Sequence, residues 1–210
     1  MIRISAIVEG HGEVETVPVL LRRLCAWLSP LCQIEVTVPI RIHRDRFLKR
    51  HEEFRKHLLL ATSKSRDNGW ILILLDADDD CPAKLGARIL EQAKAVVPHR
   101  RVSVVLANRE FEAWFIAAAS SVDGQRGFSC PEKAVSDPDT IRNAKGWIGK
   151  QMPSGQKYRE VTDQPAFAAM FDLELARNRS RSFRKLCEEW QKCAHQPESA
   201  ATNRNRPLWN

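Results

Sequence analysis

The chain has 210 residues, enough for one large domain or for a domain with a small appendage. Hydrophobic residues make up 43% and charged residues 28%, the balance of a protein that buries a core, which excludes collagen-like and disordered chains. Lys and Arg outnumber Asp and Glu by 33 to 26, and this net charge of +7 suggests an anionic partner, with nucleic acid the first expectation.

Residues 2–8 (IRISAIV) read as a first strand, stopped by the turn Glu9-Gly10-His11-Gly12. Val14, Val17, Leu20, Leu21, Leu24 and Leu28 then recur at helical spacing, and Ser29-Pro30 ends that helix. The β-branched stretch 34–42 reads as a second strand, and 46–61 as a basic amphipathic helix that buries Phe47, Phe54 and Leu58. The continuous apolar run 70–75 (WILILL) suits a central parallel strand covered on both faces. The acidic run Asp76-Ala77-Asp78-Asp79-Asp80 follows, then a helix over 83–96, a strand over 101–107 and a helix over 109–119. This alternation predicts an α/β domain with a largely parallel, four-stranded sheet flanked by helices over residues 1–120. Residues 120–140 hold scattered Gly and Pro and read as loop. The broken helical pattern that follows predicts a C-terminal helical extension, 121–195, packed on the sheet, and 196–210 reads as a flexible tail.

No apolar run nears the roughly 18 residues that cross a bilayer. With no leader segment either, a cytoplasmic protein without membrane contact is expected. None of the six cysteines forms a CxxC pair, and Cys187, Cys193 and His195 fit no common zinc spacing, so the cysteines are expected to be reduced and mostly buried. The basic excess is uneven. Residues 141–210 carry 13 basic and 7 acidic residues against 20 and 19 in 1–140, while 41–66 carries nine basic and three acidic. Arg44 and Arg46, and the late cluster Arg177, Arg179, Arg181, Arg184 and Lys185, are therefore candidate contacts to a phosphate backbone or solvated helix faces.

The chemistry is expected at the carboxyl ends of the strands, where open parallel sheets bind ligands. Glu9 follows the first strand, and Asp76 and Asp78 follow the third. If these strands are neighbours the acids converge, with Asp76 and Asp78 on one side of an extended segment. Glu13, one helical turn beyond Glu9, can return to the same cleft. Converging carboxylates repel, and a hard divalent cation resolves the repulsion. Enough of them can hold two ions across one phosphodiester. Asp79 and Asp80 also fit an acidic turn that caps the next helix. Glu110 and Glu112 emerge at the same sheet edge, but two apart on a helix they would not share a face. His11 is either a solvated loop residue or a proton carrier beside Glu9. Trp114 and Phe115 read as core, and Asp163-Gln164-Pro165 as a helix start.

The strand that ends in Glu9-Gly10, together with the later strand that ends in Asp76-x-Asp78, resembles the Toprim fold. The Glu9-x-x-x-Glu13 spacing is similar to that of the OLD-type nucleases. Taken with VEGHGE, LLDADDDCP, NREFEAWF and KYREVTDQPAFA, the pattern resembles a bacterial family of Toprim-like proteins encoded beside SMC/ABC-type ATPases in phage-defence operons of the abortive-infection L type. The resemblance implies that Glu9, Glu13, Asp76 and Asp78 bind Mg²⁺ or Mn²⁺, two ions in all, and carry catalysis. It also implies a downstream lysine near the scissile phosphate. No local motif fixes that lysine. Lys157 is one candidate, while Lys84 is expected to point along its helix.

The resulting expectation is a metal-dependent nuclease that cleaves DNA as the effector of an anti-phage system with an ATPase partner. The resemblance leaves room for a homo-oligomer. The alternatives are a ribonuclease acting on RNA such as tRNA, and a non-catalytic, partner-binding protein on the same scaffold. A receiver domain of the CheY kind fits poorly, because it wants a lone phosphoacceptor Asp rather than a glutamate after the first strand and a five-residue acidic run.

Overall fold

The computed structural model describes residues 1–132 and 135–195. The flexible tail expected for 196–210 lies outside the described residues. Five strands form one sheet: β1 (Ile2–Val8), β2 (Ile34–Val36), β3 (Ile40–Arg41), β4 (Trp70–Asp76) and β5 (Arg101–Ala107). The order is β2-β1-β4-β5, with β3 also on β1, and every pairing is parallel. The stretch 34–42 was expected to be one strand. It is two, because Pro39 lacks the N–H a ladder needs and one extra residue enters between the pairs Ile4↔Val36 and Ile7↔Ile40. The sheet is therefore five-stranded, not four-stranded, although β2 and β3 lie along the same neighbour.

The period-two alternation of the strands divides the core into two layers. Ile7, Ile71, Ile73 and Leu75 pack with Phe47, Phe54 and Leu58. Those three come from α2 (Arg44–Lys49) and α3 (His51–Ser65), and the layer is completed by α4 (Pro82–Val96). The single helix expected over 46–61 breaks at Arg50, which is extended at φ −113°, ψ 109°. Seven residues apart on one helix, Phe47 and Phe54 would be separated by about 10 Å. The break brings their rings to 4.7 Å.

On the opposite face Ile4, Ala6, Val8, Leu72 and Leu74 pack against Val17, Leu20, Leu21 and Leu24 of α1 (His11–Leu28). The same layer includes Phe167, Phe183 and Trp190, so the C-terminal helices share the core of the sheet rather than forming their own. These helices are α6 (Ala144–Lys150), α7 (Glu160–Ala168), α8 (Leu173–Arg179) and α9 (Arg181–Ala194). Gly12 is the contact point between α1 and α7. A Cβ there would lie 2.5 Å from Gln164 Oε1 and 2.6 Å from the Glu160 carbonyl oxygen.

Three further expectations change. The helix expected over 109–119 is only α5 (Ala113–Ala117), preceded by a turn with Arg109 at φ 66°. Asp163 does not start α7. It lies within the helix, and its carboxylate accepts the N–H of Arg159, the residue that opens it, at 2.7 Å. The basic cluster 177–185 is not one helical face, because Ser180 ends α8 and caps α9. Among the described residues no helix is long and apolar enough to cross a membrane, and the six cysteines are free, with Cys25, Cys187 and Cys193 buried.

Candidate functional site

β1 and β4 are adjacent and parallel, so the residues that end them emerge together at the carboxyl edge of the sheet. Glu9 follows Val8, and Asp76 is the last residue of β4. Glu13 lies in the first turn of α1 and folds back. Its Oε2 accepts the N–H groups of Glu9 at 3.0 Å and Gly10 at 3.2 Å, which satisfies donors that a helix start leaves open. Asp76 Oδ1 accepts the Phe111 N–H at 2.8 Å and ties the end of β4 to the turn after β5. That turn delivers Glu112, which is fully buried. Its Oε1 accepts from the Tyr158 hydroxyl at 3.1 Å and from Gln164 Nε2 at 3.0 Å. The Gln164 Oε1 accepts in turn from the Thr16 hydroxyl at 3.1 Å. Glu110 Oε2 accepts the backbone N–H of Lys145 at 3.0 Å, and the Lys145 ammonium lies 3.6 Å from Glu160.

Burial dominates the electrostatics. It pushes the Asp76 carboxyl well above the ordinary range, with Glu13 and Glu112 adding to the shift. It also raises Glu112 to about 7, against the pull of Lys145. Glu13 rises to about 7 for the same reason, although its two backbone hydrogen bonds oppose the change. Glu9 is raised by burial and by Asp78, with Arg44 opposing. Burial would lower the Lys145 ammonium. The surrounding Glu112, Asp76, Glu160 and Glu110 outweigh it and hold the amine above its usual range.

The donor set suits a hard divalent cation. Every candidate ligand atom is a carboxylate oxygen, and Oε2 of Glu9 and Oε2 of Glu112 are buried without any hydrogen-bond partner. A buried charged oxygen left unpaired is costly, and a bound cation is one way to satisfy such an atom. Among the described residues no three His, Cys, Asp or Glu side chains are gathered as a ready ligand set. Glu13 and Asp76 each commit one oxygen to backbone N–H donors and keep the other for a ligand.

Residues 8–190 match a family model described as a domain of unknown function, DUF4276. The chain belongs to the DUF4276 family. No curated protein and no solved structure matches it. The match covers the whole DUF4276 site, from Glu9 to Gln164.

In this DUF4276 chain Asp78 stands near enough to Glu9 to help raise its carboxyl, but its backbone leaves the extended run. It adopts a left-handed conformation at φ 50°, which ends the extended alternation at Asp76. Its side chain is exposed and pairs with Arg44 at 3.3 Å. Asp80 also pairs with Arg44, at 2.7 Å, and Asp79 pairs with Arg109 and Arg142. Glu110 and Glu112 precede α5 instead of riding on a helix, so both reach the cluster. His11 is exposed at the start of α1, Lys157 is exposed between α6 and α7, and Lys84 is exposed on α4. Arg46 is exposed on α2. Arg177 lies over the Trp27 ring, Arg179 is fastened to the carbonyls of Ala117 and Val135, and Arg181 is exposed at the start of α9.

Sequence reasoning missed Lys145, Gln164 and Tyr158 as site residues. One signal pointed to Lys145. It is the second residue of α6, where the helix dipole disfavours a cation. A residue that breaks a local rule marks a place where something else supplies the stabilisation.

Proposed function

We propose that this DUF4276 protein is a divalent-metal-dependent nuclease that hydrolyses phosphodiester bonds of DNA. One observation carries the reading. Acids from separate segments, Glu9 with Glu13, Asp76 and Glu112, converge at the carboxyl edge of a parallel sheet with two buried carboxylate oxygens unpartnered and a lysine among them. Mg²⁺ or Mn²⁺ bound there would polarise a phosphate oxygen and supply a water of lowered pKa. Glu9 and Asp76 are the principal candidates to hold it, with Glu13 and Glu112 in support. Tyr158 and Gln164 fix one oxygen of Glu112 and leave the other free. The Lys145 ammonium would hold a phosphate oxygen and meet negative charge as it grows on the leaving group. It is the better candidate for the lysine that the Toprim-like resemblance implies. The same resemblance supports an SMC/ABC-type ATPase partner and a role in phage defence.

The test is cleavage of DNA and of RNA by the purified protein with Mn²⁺, alone and with its partner ATPase. Loss of all cleavage in Asp76→Asn supports the reading. A metal-saturated wild-type protein that cuts neither nucleic acid overturns it, and degradation of RNA alone moves the substrate to RNA. The non-catalytic alternative draws on the Asp78–Arg44 pair, which occupies an expected ligand. Calorimetry decides that point, because a site without catalytic use should bind no Mn²⁺ in the micromolar range.

A further inference from the structure

A cavity of about 370 Å³ opens between the loop at Arg126 and the segment that leads into α7. Arg126, Lys157 and Arg159 line it, with Asp163 the one acid. Asp163 is buried and fully engaged. Its Oδ1 accepts from Arg126 Nε at 3.0 Å, and its Oδ2 accepts the Arg159 N–H at 2.7 Å. The side chains of Lys157 and Arg159 pair with no acid among the described residues. Three cations against one committed carboxylate leave the cavity with a surplus of two positive charges.

The wall of the cavity is preformed. Arg126 adopts a left-handed conformation at φ 55°, ψ 19°, which costs a residue with a Cβ about 1 kcal/mol. Its pairing with Asp163 holds it there. Gly127 follows at φ 85°, and a Cβ on it would lie 2.9 Å from Gln156 Oε1 and 3.0 Å from Pro153, so the two loops are closely fitted. The link to the carboxylate cluster is direct. Successive side chains on an extended segment alternate in direction, and Arg159 is extended at φ −118°, ψ 108°. Tyr158 and Glu160 reach Glu112 and Lys145, while Lys157 and Arg159 line the cavity.

We propose that this cavity is a phosphate-binding subsite that seats the backbone of a single-stranded polynucleotide beside the carboxylate cluster. The inference rests on the nuclease reading above and adds to it where the substrate lies. The volume suits a phosphodiester with its adjoining sugars, which a flexible single strand can bend into the cavity. Among the described residues no aromatic side chain lines it, so it grips phosphate without stacking bases and confers little sequence preference.

The experiment measures binding of a short fluorescein-labelled oligothymidylate by anisotropy, in metal-free buffer over a range of salt. Lys157→Gln and Arg159→Gln should each weaken binding roughly threefold, and together roughly tenfold. Each lost phosphate contact should reduce the slope of log affinity against log salt by about 0.7. Lys84→Gln removes the same charge from α4 and should bind as wild type. Melting temperature and Mn²⁺ affinity should be unchanged in all four. An unaltered affinity and slope in the double variant overturns the subsite, as does an equal loss in Lys84→Gln. Inorganic phosphate that binds as tightly as the oligonucleotide, through the same two side chains, overturns a backbone site in favour of a free-anion site. Wild-type protein that binds the oligonucleotide through Lys157 and Arg159 yet cuts nothing with Mn²⁺ removes the hydrolytic reading and leaves the subsite standing.

Discussion

Two sets of acids stand side by side in this chain and live in opposite surroundings. Asp78, Asp79 and Asp80 are exposed in the loop after β4; Asp78 and Asp80 pair with Arg44 at the start of α2, and Asp79 pairs with Arg109. Glu13, Asp76 and Glu112 are buried, and the charge of Lys145 opposes their shift. The exposed set is the more conspicuous in sequence, as a run of acids. The buried set comes from three separate places and carries the raised pKa values. Concentration of charge along the chain and concentration of electrostatic free energy in the fold are therefore different things. Water and paired arginines neutralise the first cheaply, and only a fixed counter-charge neutralises the second.

The sharpest way to break this contrast is to neutralise one acid from each set. Asp76→Asn should reduce Mn²⁺-dependent cleavage by at least about 100-fold, and it should abolish Mn²⁺ binding in a titration. The melting temperature without metal should hold or rise, because the amide oxygen still accepts from Phe111 while the buried charge is gone. Lys145→Met should destabilise the metal-free protein by roughly 1–2 kcal/mol at pH 8, since it removes the cation that opposes the charge of Glu112 and Asp76 while solvent screens part of that loss. Urea unfolding should show a much smaller loss at pH 5, where those carboxylates are protonated. Equal losses at both values would mean that Lys145 stabilises by packing alone.

The pH dependence of the wild type sharpens the same point. Glu13 and Glu112 titrate near 7 in the folded chain and near the ordinary 4.5 once unfolded. Folding thus takes up protons between these values, and the metal-free protein should lose stability as pH rises from about 4.5 to 7, by up to roughly 3 kcal/mol per group. Glu189 acts in the other direction. Hydrogen bonds from Lys185, Lys192 and Ser103 outweigh its burial and lower it to about 2, so its contribution is present above about 4.5 and disappears as pH falls toward 2. Chemical denaturation across pH should therefore show a maximum on the acid side of neutrality. Mn²⁺ should shift that maximum upward, because it binds the deprotonated carboxylates. Gly12→Ala should cost about 1–3 kcal/mol in urea unfolding, as its methyl meets the Glu160 carbonyl. Asp79→Asn comes last, with an expected change under about 0.5 kcal/mol and cleavage at the wild-type level.

Much of the frame could be read from the sequence, because local pattern specifies it. The continuous apolar run of β4, the periodic leucines of α1 and the glycine turn after β1 each give their element without help from the rest of the chain. Glu9 and Asp76 followed as acids at strand ends. Asp78 also stands near Glu9, whose carboxyl it helps raise, but its exposed, left-handed setting is a property of the turn and not of an Asp-x-Asp spacing. Glu112 was ranked low because 109–119 reads as helix by composition, whereas the Phe111–Asp76 hydrogen bond holds the start of that segment in a turn. Lys145, Tyr158 and Gln164 sit in segments whose apolar pattern is broken by Gly and Pro. Their positions are set by docking onto the sheet, which no short window contains.

The order in which the cluster is written into the chain has a consequence during synthesis. Glu9, Glu13, Asp76 and Glu112 all leave the ribosome before Lys145, and Gln164 comes later still. A nascent chain that has completed its sheet therefore holds these acids without their amine. Until the last helices dock, it must keep the carboxyl groups hydrated or protonated, so the open edge of the sheet closes only when translation has passed α7.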